Sequence, residues 1–515
     1  MPLTYGETFT PDSSQPRPLT AETPRTVRLR LRLRLRLRLR LRPQYACHLS
    51  AHRRATEEDS LRFRPPDIHA STSPSRRSVM AGSAAVTTAA GAALLSSCGN
   101  RSSADKPLSF WNFYSPAPQE DPNLVAQSDW FATAIDRWNS ANTRQVAPVY
   151  MTGDQMNQRM PVAFASGDGP DIFLISPGDY LRYANGGVLQ DLTPYMEQEA
   201  IDDYFPQALA TRRSGDGIYG LPMEQEPLAL FYDPELLEAV GIAEGDLPSD
   251  WEQLLELATE LSAGSQTGLV LDVDPGYYQN FTFYPWLWQT GGDVIDPDSQ
   301  KPVFDAEGPR AALDLFGRAI AEGATPRTRP ANGDIVGAFT SQYAAFWETG
   351  VWDVQNLQLN APDKTFGVLP LPPPAGGEQV TALGGWAWCV NARGTDPDAA
   401  ARFVVSVLGS MDEESIAHHA AWNSPTIKGN MPSRASTDAV LDAEDAFADE
   451  HYRIFREDIL PTGRAEPRFP PVVYKAVSDA LQAVQLAGAD PGEEARRAQQ
   501  SLEGYLETYR GGSLI

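Results

Sequence analysis

Cysteine is almost missing from this chain: three stand among 515 residues, at positions 47, 98 and 389. So few exclude a small disulfide-stapled scaffold, where paired cysteines substitute for a core. Histidine is nearly as scarce, and only His418, His419 and His451 follow residue 98. Neighbouring histidines on a helix point apart, so a zinc cluster lacks ligands; no metal and no cofactor is expected. Bases are in deficit as well, with 42 Lys+Arg against 67 Asp+Glu. From Cys98 onward the deficit deepens to 26 bases against 60 acids, a formal charge of −34. Polyanion binding depends on clustered Lys and Arg displacing counterions, so nucleic acid is excluded as a partner. No apolar run is long and greasy enough for a permanent transmembrane anchor; the candidate, Val79 to Leu95, is diluted by Ala, Gly and Thr. Also missing are a phosphate-cradling loop with Lys, a Gly-x-Ser-x-Gly elbow and any repeat of 20 to 50 residues.

What is present begins with a start signal placed late. Arg76 and Arg77 precede the weak apolar run, and Leu95-Ser96-Ser97-Cys98 closes it with small residues before a cysteine. The paired arginines resemble a twin-arginine export signal and the closing tetrapeptide resembles the lipobox of bacterial lipoproteins. Residues 75–97 are thus expected to be a cleaved signal, Cys98 the lipidated first residue, and 98–105 a linker. Residues 1–74 include a pure Arg-Leu alternation from Arg28 to Arg42. A basic arm that lies on membranes or nucleic acid is one reading. A disordered or spurious extension, translated from a simple DNA repeat, is preferred.

The remaining 418 residues exceed the size at which one core stops growing, so two domains are expected. Strand-like runs at 106–114 and 170–176 alternate with helical spacing at 121–141, 249–263, 309–322, 395–409 and 473–488. This alternation predicts α/β units with mainly parallel sheets. The Pro- and Gly-rich stretch at 369–379 is a candidate connection between lobes. Carboxylates alternate at 293–305 as in part of a calcium loop, but the Gly and terminal Glu are misplaced and a polar hairpin turn is expected. Glu224 and Glu226 would point the same way on a strand, as a glycosidase pair must. An acidic chain offers many such pairs, and the protein is not expected to be an enzyme.

Taken in order, "GPDIFLIS", "YANGGVLQDLTPYM", "YGLPMEQEPLALFYDPELLEAVGI", "PSDWEQLLELATEL", "GGDVIDPD", "AAFWETGVWDV", "GVLPLPPP", "GGWAWCVN" and "NMPSRAS" resemble family 1 extracellular solute-binding proteins of ABC importers. The likeness runs over residues 106–510, with one departure: Asp233 stands where Asn is usual after "FY". The resemblance implies a two-lobed, periplasmic-binding-protein-like α/β fold of type II, with helices on both sheet faces and a hinged cleft. Lobe one would take 106–225 and 385–440, and lobe two 230–380 and 446–515. It also implies a monomeric receptor, lipid-anchored on the outer face of the bacterial cytoplasmic membrane, that hands its solute to a permease.

Tryptophan and tyrosine are abundant, and a pyranose stacks its C–H face on such rings while its hydroxyls need carboxylates, amides or Arg. The expected cargo is therefore a carbohydrate. By resemblance to sugar-binding members, the ligand contacts would be Trp111, Tyr114, Ser176, Asp179, Glu226, Phe281, Tyr284, Trp352, Trp386 and Arg434. Other cargoes remain open at this point: a polyamine, peptide, opine or metal chelate. So do a secreted glycoside hydrolase and an adhesin or sensor without a transporter.

Overall fold

A computed structural model describes residues 106–114, 116, 122–330 and 334–514 of the chain. The signal, the lipobox with Cys98, and Arg76 and Arg77 lie outside the described residues. Thirteen strands are present among them. Lobe one is built on β1 (Leu108–Asn112), β2 (Val146–Tyr150), β3 (Ile172–Ile175), the short pair β4 (Arg213–Ser214) and β5 (Gly217–Ile218), and β6 (Leu221–Pro222). The second sheet takes β7 (Glu226–Tyr232), β8 (Thr267–Val270), β9 (Ala344–Gly350), β10 (Gly367–Leu369) and β11 (Thr381–Gly384). The chain then returns as β12 (Ala387–Val390) in lobe one, and β13 (Gly463–Ala465) closes the edge of the second sheet.

The first sheet runs in the order β2-β1-β3-β12-β6 and the second β13-β11-β7-β9-β8, with β10 also on β7. The parallel pairs that strand–helix alternation predicts are there: β1 with β2 and β3, β8 with β9, β11 with β13. Antiparallel pairs join them where the chain changes lobe, so both sheets are mixed. β6 runs straight into β7, and β11 runs straight back into β12, with no crossover helix between. The two crossings therefore lie antiparallel side by side, pairing β12 with β6 and β11 with β7. A third segment, Asn430–Ser433, runs beside them through a bridge between Gln225 and Met431.

Strands β3, β7 and β9 are buried almost end to end, which is why they read as continuous apolar runs rather than alternating ones. Helices start where sequence chemistry places a cap. Asp250 accepts from the Gln253 N–H ahead of Trp251–Leu261, whose Leu254, Leu255, Ala258 and Leu261 face the core. Asp233, the departure from the usual Asn, caps Pro234–Val240 and its carboxylate meets Lys364 at 2.9 Å. That buried pair accounts for an acid at this turn. One expectation is corrected: the 369–379 stretch joins β10 to β11, both on β7, and so stays inside lobe two. The 293–305 segment is a hairpin, Ile295 opposite Pro302, with Asp296 accepting from Ser299 at its tip. No helix among the described residues is long and apolar enough to cross a membrane.

Candidate functional site

The crossings position the first group of polar side chains. Glu224 and Glu226 point to one side of their strand and Gln225 to the other, where it donates to Pro432 O at 2.7 Å. The Glu224 carboxylate accepts from Trp422 Nε1 at 2.6 Å, Asn430 Nδ2 at 2.9 Å and the Trp386 N–H at 3.4 Å. Asn430 Nδ2 also donates to Glu226 at 2.8 Å, so one amide ties both acids together. Burial raises both carboxyls above the usual range, and the neighbouring Glu224 raises Glu226 further. Tyr114 sits over the pair, stacked on Phe131 and edge-on to Trp422, its phenol raised by burial and then by the two glutamates.

A second group meets where lobe one touches lobe two. Tyr277, opening the helix Tyr277–Trp288, donates to Glu466 at 2.5 Å, and its hydroxyl also meets Ser176 from the loop after β3. Glu466 is 1% exposed, and burial pushes its carboxyl up to about 8. Asp179, in the same lobe-one loop, is raised by burial and restrained by Arg182 at 3.3 Å. Arg212, fully buried, donates to Gly385 O at 2.9 Å and Ile175 O at 3.3 Å, pinning that loop to the crossing. A cavity of about 690 Å³ opens beside Glu466, between Thr211 of lobe one and Arg464, Arg468 and Phe469 of lobe two.

The third group is the start of the helix Trp352–Asn360. Asp353 accepts from Thr349 at 2.5 Å and Asn356 at 2.9 Å, and burial raises its carboxyl. Tyr278 lies close by, with the Arg329 guanidinium 5.1 Å over its ring.

Seven of the ten expected contacts belong to or border these groups or the crossings. Glu226 is one of the paired acids, and Tyr114 and Trp386 border the pair, with Trp386 edge-on to Phe113. Ser176, Asp179 and Phe281 lie at the lobe contact, where a Cβ on Gly384 would come 2.8 Å from the Phe281 ring. Trp352 adjoins Asp353. The other three are elsewhere. Trp111 stands in β1 with Arg159 over its ring, 5.5 Å away. Tyr284 is 0% exposed and stacks on Trp288 within lobe two. Arg434 is 0% exposed and its donors are spent on Asp203, Leu408 O and Ser410 O. Asp353, Trp422, Asn430 and Glu466 were not singled out from sequence. Their only signal was polarity next to a crossing that sequence does not locate.

Among the described residues no group of three His, Cys, Asp or Glu side chains is arranged to hold a metal. His418 stacks on Trp130 and His419 meets Met223 O at 2.9 Å; burial holds both imidazoles far below their usual range. Cys389 is 0% exposed on β12, its thiol pushed up to about 12 by burial.

Two lobes joined by crossing strands, with rings and acids gathered at their junction, have the architecture of a solute-binding protein. The chain belongs to the family described as bacterial extracellular solute-binding protein, which it matches over residues 122–411. It is a solute-binding protein of ABC transporters and not an enzyme. A relative named galactooligosaccharide-binding protein, from Bacillus subtilis, is 24% identical over 67% of this chain and 79% of its own length. In fold, the chain resembles a Thermotoga lettingae solute-binding protein bound with α-D-tagatose (TM-score 0.66, 20% identity, 78% of this chain and 100% of that one). It also resembles UgpB of Mycobacterium tuberculosis in complex with glycerophosphocholine (TM-score 0.63, 19% identity, 78% and 98%).

Proposed function

We propose that this protein captures a mono- or oligosaccharide between its lobes and delivers it to an ABC permease from a lipid anchor at Cys98. The observation that carries the reading is the gathering of rings and buried acids at the junction: Tyr114 over Glu224 and Glu226, Tyr277 on Glu466, and Tyr278 beside Asp353. Flat rings supply apolar area to the sugar face, and the acids bind hydroxyls that would otherwise be buried unpaired at about 1 to 3 kcal/mol each. Carboxyls raised by burial are suited to neutral hydroxyls, since each then donates as well as accepts. The names of the Bacillus and Thermotoga proteins lean the same way. The ligand contacts proposed are Tyr114, Ser176, Asp179, Glu226, Phe281, Trp352 and Trp386, joined by Tyr278 and Glu466.

A cationic solute such as a polyamine is the second reading, favoured by the number of acids at the junction. Isothermal titration with neutral saccharides and with spermidine, in two buffers of different ionisation enthalpy, separates the two. A neutral sugar binds with little proton release, whereas a polyamine ionises the acids and expels protons. The lipid anchor is tested by detergent phase partition: Cys98→Ala should move the protein from the detergent to the aqueous phase.

A further inference from the structure

The chain's last segment reaches from one lobe to the other. The helix Pro491–Thr508 belongs to lobe two: its Gln499 accepts from the Phe304 N–H at 2.8 Å and donates to Pro302 O at 2.9 Å. At Tyr509 the backbone turns extended, and the next partner is in lobe one. The Asn185 side-chain amide holds the segment at two points. Its Nδ2 donates to the Tyr509 hydroxyl at 2.9 Å, and its Oδ1 accepts from the Gly512 N–H at 2.8 Å. Tyr509 closes the ring by donating to Gly512 O at 2.9 Å. Gly511 lies inside that ring, where a Cβ would overlap the Tyr509 hydroxyl and stand 2.5 Å from Asn185 Nδ2. Ser513 then accepts from Gln300 of the lobe-two hairpin at 3.0 Å, and Leu514 is 2% exposed at the edge of the cavity between Thr211 and Phe469.

Asn185 ends the helix Tyr180–Asn185, which follows directly on the loop that brings Ser176, Gly178 and Asp179 to the lobe contact. The segment therefore grips the element that carries the lobe-one side of the junction. A second lobe-two side chain arrives beside it: Arg468 donates to Arg213 O and lies 5.1 Å over the Tyr180 ring. None of these bonds between lobes survives their separation. Contacts that exist in only one of two arrangements favour that arrangement.

Resting on the reading that solute is held between the lobes, we propose that residues 509–514 are a latch that fastens the lobes together and sets how long solute is retained. A latch acts on the balance between open and closed lobes, so it changes the affinity for every solute by one common factor. A ring or acid in contact with the solute changes each affinity differently.

The test compares the full chain with its Asn185→Ala and Gly511→Ala variants, both at exposed positions. Small-angle scattering without solute should give a larger radius of gyration for both. Calorimetric titration and stopped-flow release with D-galactose, maltotriose, D-tagatose and spermidine should show binding weakened about fivefold or more and faster release. The factor should be the same for each probe that binds the wild type. An unchanged radius of gyration overturns the inference, and so do unaltered affinity or factors that differ between probes. A fall in melting temperature alone, with radius and affinity unmoved, makes the segment mere packing and overturns it too. A wild type that binds none of the three sugars overturns the carbohydrate reading and leaves the latch to be decided by scattering. If Gly511→Ala fails to fold, Asn185→Ala carries every measurement.

Discussion

Gly178 of lobe one lies so near Tyr277 of lobe two that a Cβ at position 178 would overlap the tyrosine ring and stand 2.9 Å from the Tyr474 hydroxyl. The lobes meet there with no room for a methyl group. Gly178→Ala should therefore act as a wedge. We expect a larger radius of gyration in small-angle scattering and ligand affinity reduced tenfold or more, with the melting temperature nearly unchanged. Unaltered affinity would mean that the loop yields without opening the cleft.

Trp386 is half-buried and edge-on to Phe113 in the crossing between β11 and β12, where its carbonyl accepts from the Met223 N–H at 2.9 Å. Because the backbone carries the crossing, removing the ring should spare the fold. Trp386→Ala is expected to weaken ligand binding by tenfold or more with a small drop in melting temperature. An unchanged dissociation constant would remove Trp386 from the site.

Glu466 titrates at about 8 in the folded protein because it is buried, against about 4.5 when unfolded. Between these values the folded form binds more protons than the unfolded one. Its contribution is complete below pH about 4.5 and is lost as pH rises towards 8. Glu466→Gln keeps an acceptor for Tyr277 and removes the titration. The variant should show a flatter melting-temperature profile between pH 5 and 8 and melt several degrees higher than wild type at pH 8. Differential scanning calorimetry across that range decides it, and parallel profiles would rule out the buried acid as the cause.

Arg434 and Asp203 form a buried pair at 2.7 Å, and Asp203 also receives the N–H and hydroxyl of Ser436. Removing the guanidinium leaves the acid buried without its charge partner, which typically costs about 3–5 kcal/mol. Arg434→Ala should lose that much in urea denaturation, while the folded fraction binds ligand with wild-type affinity. A selective loss of affinity would return Arg434 to the ligand contacts.

How far sequence reached depended on how local each cause was. The buried run at 172–175 and the helix after Asp250 are set by neighbouring residues, and both were legible. Glu226 was expected at the first crossing by family resemblance, not from any local pattern around it. Asn430 lies 204 residues from Glu226, and nothing local announces that they share a hydrogen bond. Nor does anything local to Arg434 announce its partner Asp203, 231 residues away. Phe281 and Tyr284 could not be separated in advance because the helix Tyr277–Trp288 is buried on nearly every side and carries no apolar stripe. The Pro- and Gly-rich 369–379 stretch marked a turn correctly, but composition does not say which two strands a turn connects.

Cys389 lies within the lobe-one sheet, and a Cβ on Gly220 would stand 2.6 Å from its sulfur. It is the sole thiol after position 98 and is withheld from solvent. Maleimide dyes would pass it by, so in a variant without Cys47 and Cys98 they would react only with cysteines engineered on the outer surfaces. A donor and acceptor set on opposite lobes would then report cleft closure as energy transfer, turning the receptor into an optical sensor for its own cargo.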